Sequence, residues 1–329
     1  MLLTLTISLA ALVGLAGLFS LGAARRDAKV FPPPGRLIDV AAGRRLHARV
    51  EGQGVPAVVF EAGISASSVN WIAIRSQIAA FTACVSYDRA GLGWSDPHRG
   101  VFDVERMLAD LGALLDRLDI PGPFVLVGHS YGGLLVRLFA ERYPSRVAGL
   151  VLVDPVLACS WAHPDVVKLR VKRRAERIAR WGVWFARFGV VRLATSPILV
   201  RSLVKRRRAD NGVVSRLQTE LVKLPPDTLP LIRSHWCRSQ NFRSMTAHLT
   251  AVEPSFAALK DLPAEYPMTV ISAGNTPPEG LAEHRAVADL SRHGRHIVAR
   301  HSEHWIQFDE PDLVVEAIRA VVEDSRTGD

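Results

Sequence analysis

Short apolar runs alternate along this chain with longer stretches of helical period. "RLIDV" (36–40) and "RRLHARVEG" (44–52) alternate apolar and polar residues at period two and predict strands. "AVVFEAG" (57–63), "ACVSYD" (83–88), "PFVLVGHS" (123–130), "VAGLVLVDP" (147–155), "MTVISAG" (268–274) and "RHIVARHSEH" (295–304) predict six more. Between them, 101–118 shows helical spacing at Val104, Met107, Leu108, Leu111, Leu114 and Leu115. "YGGLLVRLFAERYP" (131–144) reads as a helix ended by Pro144, and "PDLVVEAIRAVVED" (311–324) as the last helix. Strands that alternate with helices imply an α/β fold, a mostly parallel sheet covered on both faces.

The pattern changes between Val153 and Met268. Residues 159–255 look helical, basic and irregular, with no run of strand type. They are read as a cap inserted after the sixth strand. The expected organisation is therefore residues 1–26 as a separate N-terminal segment, 36–158 as the first half of the core, 159–255 as the cap and 256–329 as the second half. "FPPPG" (31–35) is a stiff linker.

Leu2 to Ala24 carry no charge, and a helix of that length would be about 35 Å long, enough for a hydrocarbon core of roughly 30 Å. Arg25 and Arg26 follow, and no Lys or Arg precedes the run, which predicts an N-terminal transmembrane anchor with the rest of the chain in the cytoplasm. The alternative is a cleaved signal ending near Gly22-Ala23-Ala24, with secretion of the remainder.

The formal net charge of +9 is local. Lys168 to Arg208 hold fourteen Lys/Arg against one acid, Glu176. Ile178, Trp181, Phe185 and Phe188 recur on one helical face with Trp184 beside them and Arg173, Arg177, Arg180 and Arg187 around them; "KRRR" follows at 205–208. Such a helix suits an anionic membrane surface, and it equally suits packing over an active site with solvated arginines. No reader motif, aromatic platform or Gly-rich basic tail accompanies the charge, so nucleic acid is not the expected partner. Cys84, Cys159 and Cys237 are too few and too scattered for a disulfide framework or a metal site, and no metal or cofactor is implied.

"VLVGHSYGGLL" (125–135) holds the chemistry. A Ser on a sharp strand-to-helix turn exposes its hydroxyl above the sheet edge, and the turn needs small residues two before and two after; Gly128-His129-Ser130-Tyr131-Gly132 fits. A Ser that only caps a helix would not need both glycines. A hydroxyl needs a base, and the best placed is His304, beyond the last strand, with His301 as its rival.

Taken in order, "VVFEAGIS", "YDRAGLGWSD", "GHSYGG", "RYPSRVAGLVLVDP" and "SEHWIQFDEPDLVVEAI" resemble the α/β-hydrolase fold superfamily, of the type with an inserted cap. The resemblance runs from about Arg36 to the C-terminus and implies an eight-stranded sheet and a serine hydrolase. It implies Ser130 as nucleophile, His304 as base, and an oxyanion hole made by the amides of Tyr131 and Ile64. Where the family commonly has His-Gly-X, this chain has Ala62-Gly63-Ile64, preceded by Glu61, which is expected to hold the loop by a salt bridge. Asp88 and Arg89 are expected to hold their own turn. The family's usual acid follows the seventh strand, but "SAGNTPPEG" offers only Asn275 and, five residues past Gly274, Glu279. Asp154 after the sixth strand is the other candidate, a place that haloalkane dehalogenases use. Epoxide hydrolases and dehalogenases of this fold need a carboxylate nucleophile, so Ser130 points to acyl transfer. The expected activity is hydrolysis of an ester, or a related acyl bond, of a small lipophilic substrate through an acyl-enzyme. The alternatives are an inactive hydrolase-fold binding protein at a membrane, and an iminopeptidase-type hydrolase. Oligomeric state is not legible.

Overall fold

The computed structural model of the protein describes residues 2–161, 166–196 and 223–327. Eight strands form one sheet: β1 (Arg36–Ala41), β2 (Arg44–Glu51), β3 (Val58–Glu61), β4 (Cys84–Tyr87), β5 (Phe124–His129), β6 (Val147–Val153), β7 (Met268–Ala273) and β8 (Gly294–Ala299). Their order is β1-β2-β4-β3-β5-β6-β7-β8. β1 with β2 and β2 with β4 pair antiparallel, and every other neighbour pairs parallel.

The strand side chains divide by period two. Phe124 and Leu126 of β5, with Leu150 and Leu152 of β6, join the core that faces α3 (Val104–Arg117) and α4 (Tyr131–Arg142). Val125 and Val127, with Val151 and Val153, join the opposite core, under α2 (Arg75–Ala79) and the last helix, Pro311–Thr327. Burial on both faces explains why these strands read as unbroken apolar runs. α3 starts where Asp103 accepts a hydrogen bond from the Arg106 amide at 3.0 Å.

The described regular elements between β6 and β7 are all helical: α5 (Ala158–Trp161), α6 (Val166–Arg187), α7 (Val190–Ala194), α8 (Leu229–Trp236) and α9 (Ser239–Ala258). The "KRRR" stretch lies outside the described residues. α9 rests on the core. Ser244 Oγ donates to the Ala90 carbonyl (2.9 Å), and Asn241 Nδ2 donates to Ser65 Oγ (2.9 Å). The three cysteines are free.

The N-terminal segment requires a correction. It forms one helix, α1 (Leu2–Val30), but among the described residues no helix is long and apolar enough to cross a membrane. The predicted transmembrane anchor is therefore not supported. The helix does not stop at Arg25 and Arg26. It continues through them, and Asp27 pairs with Arg192 of α7 at 2.6 Å. The end of α1 is thus tied to the helical insertion, and Trp94 Nε1 fixes the linker by donating to the Phe31 carbonyl at 2.9 Å.

Leu126 is fully buried in the middle of the sheet. Leu126→Ala should cost about 2–5 kcal/mol, read as a lower urea midpoint at unchanged m-value; an unchanged midpoint would mean that β5 is not a central strand.

Candidate active site

β5 and β6 run parallel in a register that sets His129 beside Val153, so the residues that follow, Ser130 and Asp154, leave the sheet side by side. Both have positive φ, 55° at Ser130 and 41° at Asp154. Non-glycine residues in that region cost about 1–3 kcal/mol each and persist only where the surroundings hold them. Here the Ser130 amide donates to the Val153 carbonyl (3.0 Å), the Ser130 carbonyl accepts from Gly133 (3.0 Å), and the Asp154 amide donates to the Ile271 carbonyl of β7 (2.7 Å).

The glycines of the turn are steric requirements. A Cβ on Gly128 would stand 2.6 Å from the Gly132 carbonyl carbon. A Cβ on Gly132 would collide with the Glu61 carbonyl and stand 2.7 Å from that of Ala62. The Ser130 side chain makes no capping hydrogen bond to α4, so it does not serve as a helix cap.

Asp154 and His304 meet across the sheet edge. His304 Nδ1 donates to Asp154 Oδ2 at 2.6 Å, while Asp154 Oδ1 accepts from the Ala273 amide at 3.0 Å. Burial works to raise the Asp154 carboxyl, but the hydrogen bond and charge of His304, with the Ala273 amide, bring it below the ordinary carboxylate range. With Nδ1 committed to Asp154, a neutral His304 presents an unprotonated Nε2 on a half-exposed ring. Glu279 is elsewhere: it is exposed in the first turn of α10 (Pro278–Ala288). His301 is exposed, and its amide donates to Glu310.

The other wall is the loop after β3. A Cβ on Gly63 would lie 3.3 Å from Ser130 Cβ, so this loop passes directly beside Ser130. Among the described residues the amides of Ile64 and Tyr131 donate to no backbone carbonyl. Glu61 makes the expected salt bridge, and its partners are Arg89 and the Tyr87 hydroxyl. Burial raises the Glu61 carboxyl, opposed by Arg89. Arg89 also donates to the carbonyls of Ala62 (2.6 Å) and Gly63. Turning those two carbonyls toward a guanidinium leaves the next amide, Ile64, facing away from it. The Arg89 side chain therefore braces the loop after β3 rather than its own turn. Asp88 holds that turn, accepting from His47 Nδ1 (2.9 Å) and the amides of Ser68 (2.7 Å) and Trp94 (3.0 Å).

His129 has a role that its position in the motif did not reveal. Its Nε2 donates to the backbone carbonyl of His304 at 2.8 Å, and its Nδ1 accepts from Asn70 Nδ2 at 3.3 Å. The ring joins the elbow to the loop that bears His304. Burial lowers its pKa to about 3, with the charge of His304 adding to the effect, so it stays neutral and keeps that tautomer. No sequence spacing signals this bond, which spans 175 positions.

Two open clefts, of about 460 and 290 Å³, lie elsewhere, one lined by Asp116, Pro121 and Arg146, the other under the Phe31–Pro34 linker. Neither is lined by Ser130, Asp154 or His304, so the constellation and not cavity volume marks the site. Among the described residues no group of three or more His, Cys, Asp or Glu is placed to hold a metal ion.

The sequence profile of the alpha/beta hydrolase fold matches residues 56–311, and the chain belongs to this family. It is 32% identical over 126 residues to a 2-hydroxy-6-oxo-2,4-heptadienoate hydrolase of Pseudomonas putida, covering 37% of this chain and 45% of that protein. It is 34% identical over 115 residues to a cis-3-alkyl-4-alkyloxetan-2-one decarboxylase of Shewanella oneidensis, covering 34% and 36%. The matched segments thus span less than half of these relatives' length. Among solved structures, a thermophilic esterase from Thermogutta terrifontis superposes with a TM-score of 0.62 at 24% identity, covering 88% of this chain and 97% of that one.

His129, His235 and His248 are buried and held neutral, His129 to about 3, His235 to about 4 and His248 well below its ordinary value, each chiefly by burial. In the unfolded chain they take up protons near pH 6.5, so acidification favours unfolding. Stability should fall as pH drops from about 6.5 toward 4, by on the order of 2 kcal/mol per histidine at pH 5. Asp154 and Asp88, held low, lose their contribution only below about pH 4. Urea titrations at pH 7 and pH 5 test this; equal unfolding free energies would show that the rings are solvated.

Proposed function

We propose that the protein is a serine hydrolase that cleaves an ester, or a related acyl bond, of a lipophilic substrate, with Ser130 as nucleophile, His304 as base and Asp154 as the acid. The observation that supports this best is the 2.6 Å bond between His304 and Asp154 at the edge where Ser130 emerges. As Ser130 Oγ attacks the carbonyl carbon, His304 Nε2 takes the hydroxyl proton. The amides of Ile64 and Tyr131 receive the charge that develops on the carbonyl oxygen, helped by the N-terminus of α4. The imidazolium returns the proton to the leaving alcohol, and a water deprotonated by His304 releases the acyl group. Asp154 fixes the tautomer and stabilises the imidazolium.

The half-buried side chains next to the elbow, Ile64 and Val156, are apolar, which favours a lipophilic acyl group. Relatives of the fold include an esterase and an enol-lactonase, in keeping with carbonyl attack. Epoxide hydrolases share the fold too, yet a serine hydroxyl does not replace their carboxylate. The helices of residues 159–255 act in this reading as the cap, with α9 as its foot.

A fluorophosphonate probe should label the wild type and fail on Ser130→Ala. Asp154→Asn should slow labelling and turnover of p-nitrophenyl esters by about a thousandfold or more, and Glu279→Gln by less than about twofold. A wild type that neither labels nor turns over esters would leave the fold as a binding scaffold. Equal losses for Asp154→Asn and Glu279→Gln would remove Asp154 from the triad.

Arg89→Met should lower kcat by about ten- to a hundredfold at similar KM, because its effect falls on the oxyanion loop; a change confined to KM would place Arg89 in ground-state binding instead.

A further inference from the structure

A helix on the surface of a water-soluble domain buries its large apolar side chains and shows small or polar ones. α1 and α6 do the reverse. α1 meets the insertion through Ala16, Gly17, Ser20 and Asp27, with one ring edge of Phe19. Ser20 Oγ donates to the Ala186 carbonyl at 3.0 Å, and a Gly17 Cβ would stand 3.8 Å from the Phe188 ring. Its large side chains point away: Leu12, Leu15, Leu18 and Phe19 are 64%, 65%, 68% and 66% exposed. α6 buries Ala179, Gly182 and Ala186, and a Cβ on Gly182 would collide with Phe242 of α9. Ile178, Trp181, Trp184 and Phe185 are turned to solvent, Trp181 being 61% exposed. Leu193 of α7 continues the surface at 69%. Of the aromatic face of α6, Ile178, Trp181, Trp184 and Phe185 thus turn away from the core, while Phe188 is half-buried toward Gly17 of α1.

These two outward sets sit on elements in direct contact, since Gly189, which opens α7, lies against Phe19 and Ser20. At 100° per residue Arg173, Arg177, Arg180 and Arg187 form a stripe of α6 that borders the aromatic one, on the side away from the buried residues. All four are exposed, and the only acid on α6 is Glu176. Arg25 and Arg26 add exposed charge where the apolar part of α1 ends.

We propose that α1, α6 and α7 together form one docking face for an anionic lipid bilayer, with the helices lying in the plane of the interface. Small residues toward protein and large apolar ones outward is the arrangement that lipid contact calls for. The bordering arginines are placed to meet headgroup phosphates while the tryptophans enter the acyl boundary. Charge complementarity selects this occupant over a second copy of the chain, because two such faces would bring their arginine borders together.

The test uses the full chain with vesicles of phosphatidylcholine alone and with one-third phosphatidylserine. The expected result is sedimentation with the anionic vesicles, weakened by salt, and quenching of tryptophan emission by bromine-labelled lipid. Trp181→Ser/Trp184→Ser/Phe185→Ser should cut binding about tenfold or more, and so should Leu15→Ser/Leu18→Ser/Phe19→Ser. These side chains are exposed, so both variants should keep wild-type thermal unfolding and fluorophosphonate labelling. Wild type left in the supernatant overturns the proposal. So does loss of binding on the α1 substitutions alone with bromolipid quenching absent, which would mean that α1 inserts by itself. A dimer in size-exclusion chromatography that the α6 substitutions dissociate, with no vesicle binding, assigns the face to self-association instead.

Discussion

The parallel register of β5 on β6 is the constraint on which the rest of the site depends. Pairing His129 with Val153 delivers Ser130 and Asp154 to one edge of the sheet together. Because side chains alternate at period two, a slip of one residue would exchange the two cores, sending Val125 and Val127 under α3 and α4. The strain stored at Ser130 and Asp154 is tolerable only because the backbone on either side is fixed by bonds into the sheet: Ser130 to Val153, Asp154 to Ile271. The 2.6 Å contact to His304 follows from that placement. The strands supply coordinates, and the loops supply functional groups.

The eight strands, their mostly parallel pairing and the elbow were legible in the sequence, because each leaves a periodic or steric trace: apolar runs, and glycines where a Cβ cannot stand. The proposed acid was legible only as an alternative. Asp154 and Glu279 carry the same chemistry, and choosing between them needs the distance to His304. His129 and Arg89 were legible as parts of motifs but not in the contacts they make, since those bonds join segments far apart in the chain. Periodicity also showed an apolar stripe on α6 without saying which stripe packs. Helical spacing is blind to the partner, and here the partner took Ala179, Gly182 and Ala186. The run of apolar residues in α1 misled for a related reason: hydropathy does not record that a helix continues past its charges and ties Asp27 to Arg192.

The Glu61–Arg89 pair shows how the loop after β3 manages without the family's usual histidine. A buried ion pair is expensive to desolvate and is retained where it fixes geometry. Here the guanidinium is shared among a carboxylate, two backbone carbonyls and the ring of His248, so its donors are committed to fixing the loop that carries the proposed oxyanion amide of Ile64. Asp88 plays the same part for the neighbouring turn, and both lie in the stretch on which α9 rests.

Asp154 precedes the helical insertion in the chain and His304 follows it. Ser130 and Asp154 therefore belong to one contiguous stretch, whereas His304 arrives only when β7 and β8 have joined the sheet on the far side of the insertion. The turn after β7, from Gly274 to Pro278, is left with no charge to hold in the proposed triad. It still reaches the triad's groups without charge: Thr276 Oγ1 donates to Asp154 Oδ1 at 3.4 Å and the Gly274 amide to the Ser302 carbonyl at 2.9 Å, so a change of length in this turn would move both the carboxylate and the loop that carries His304.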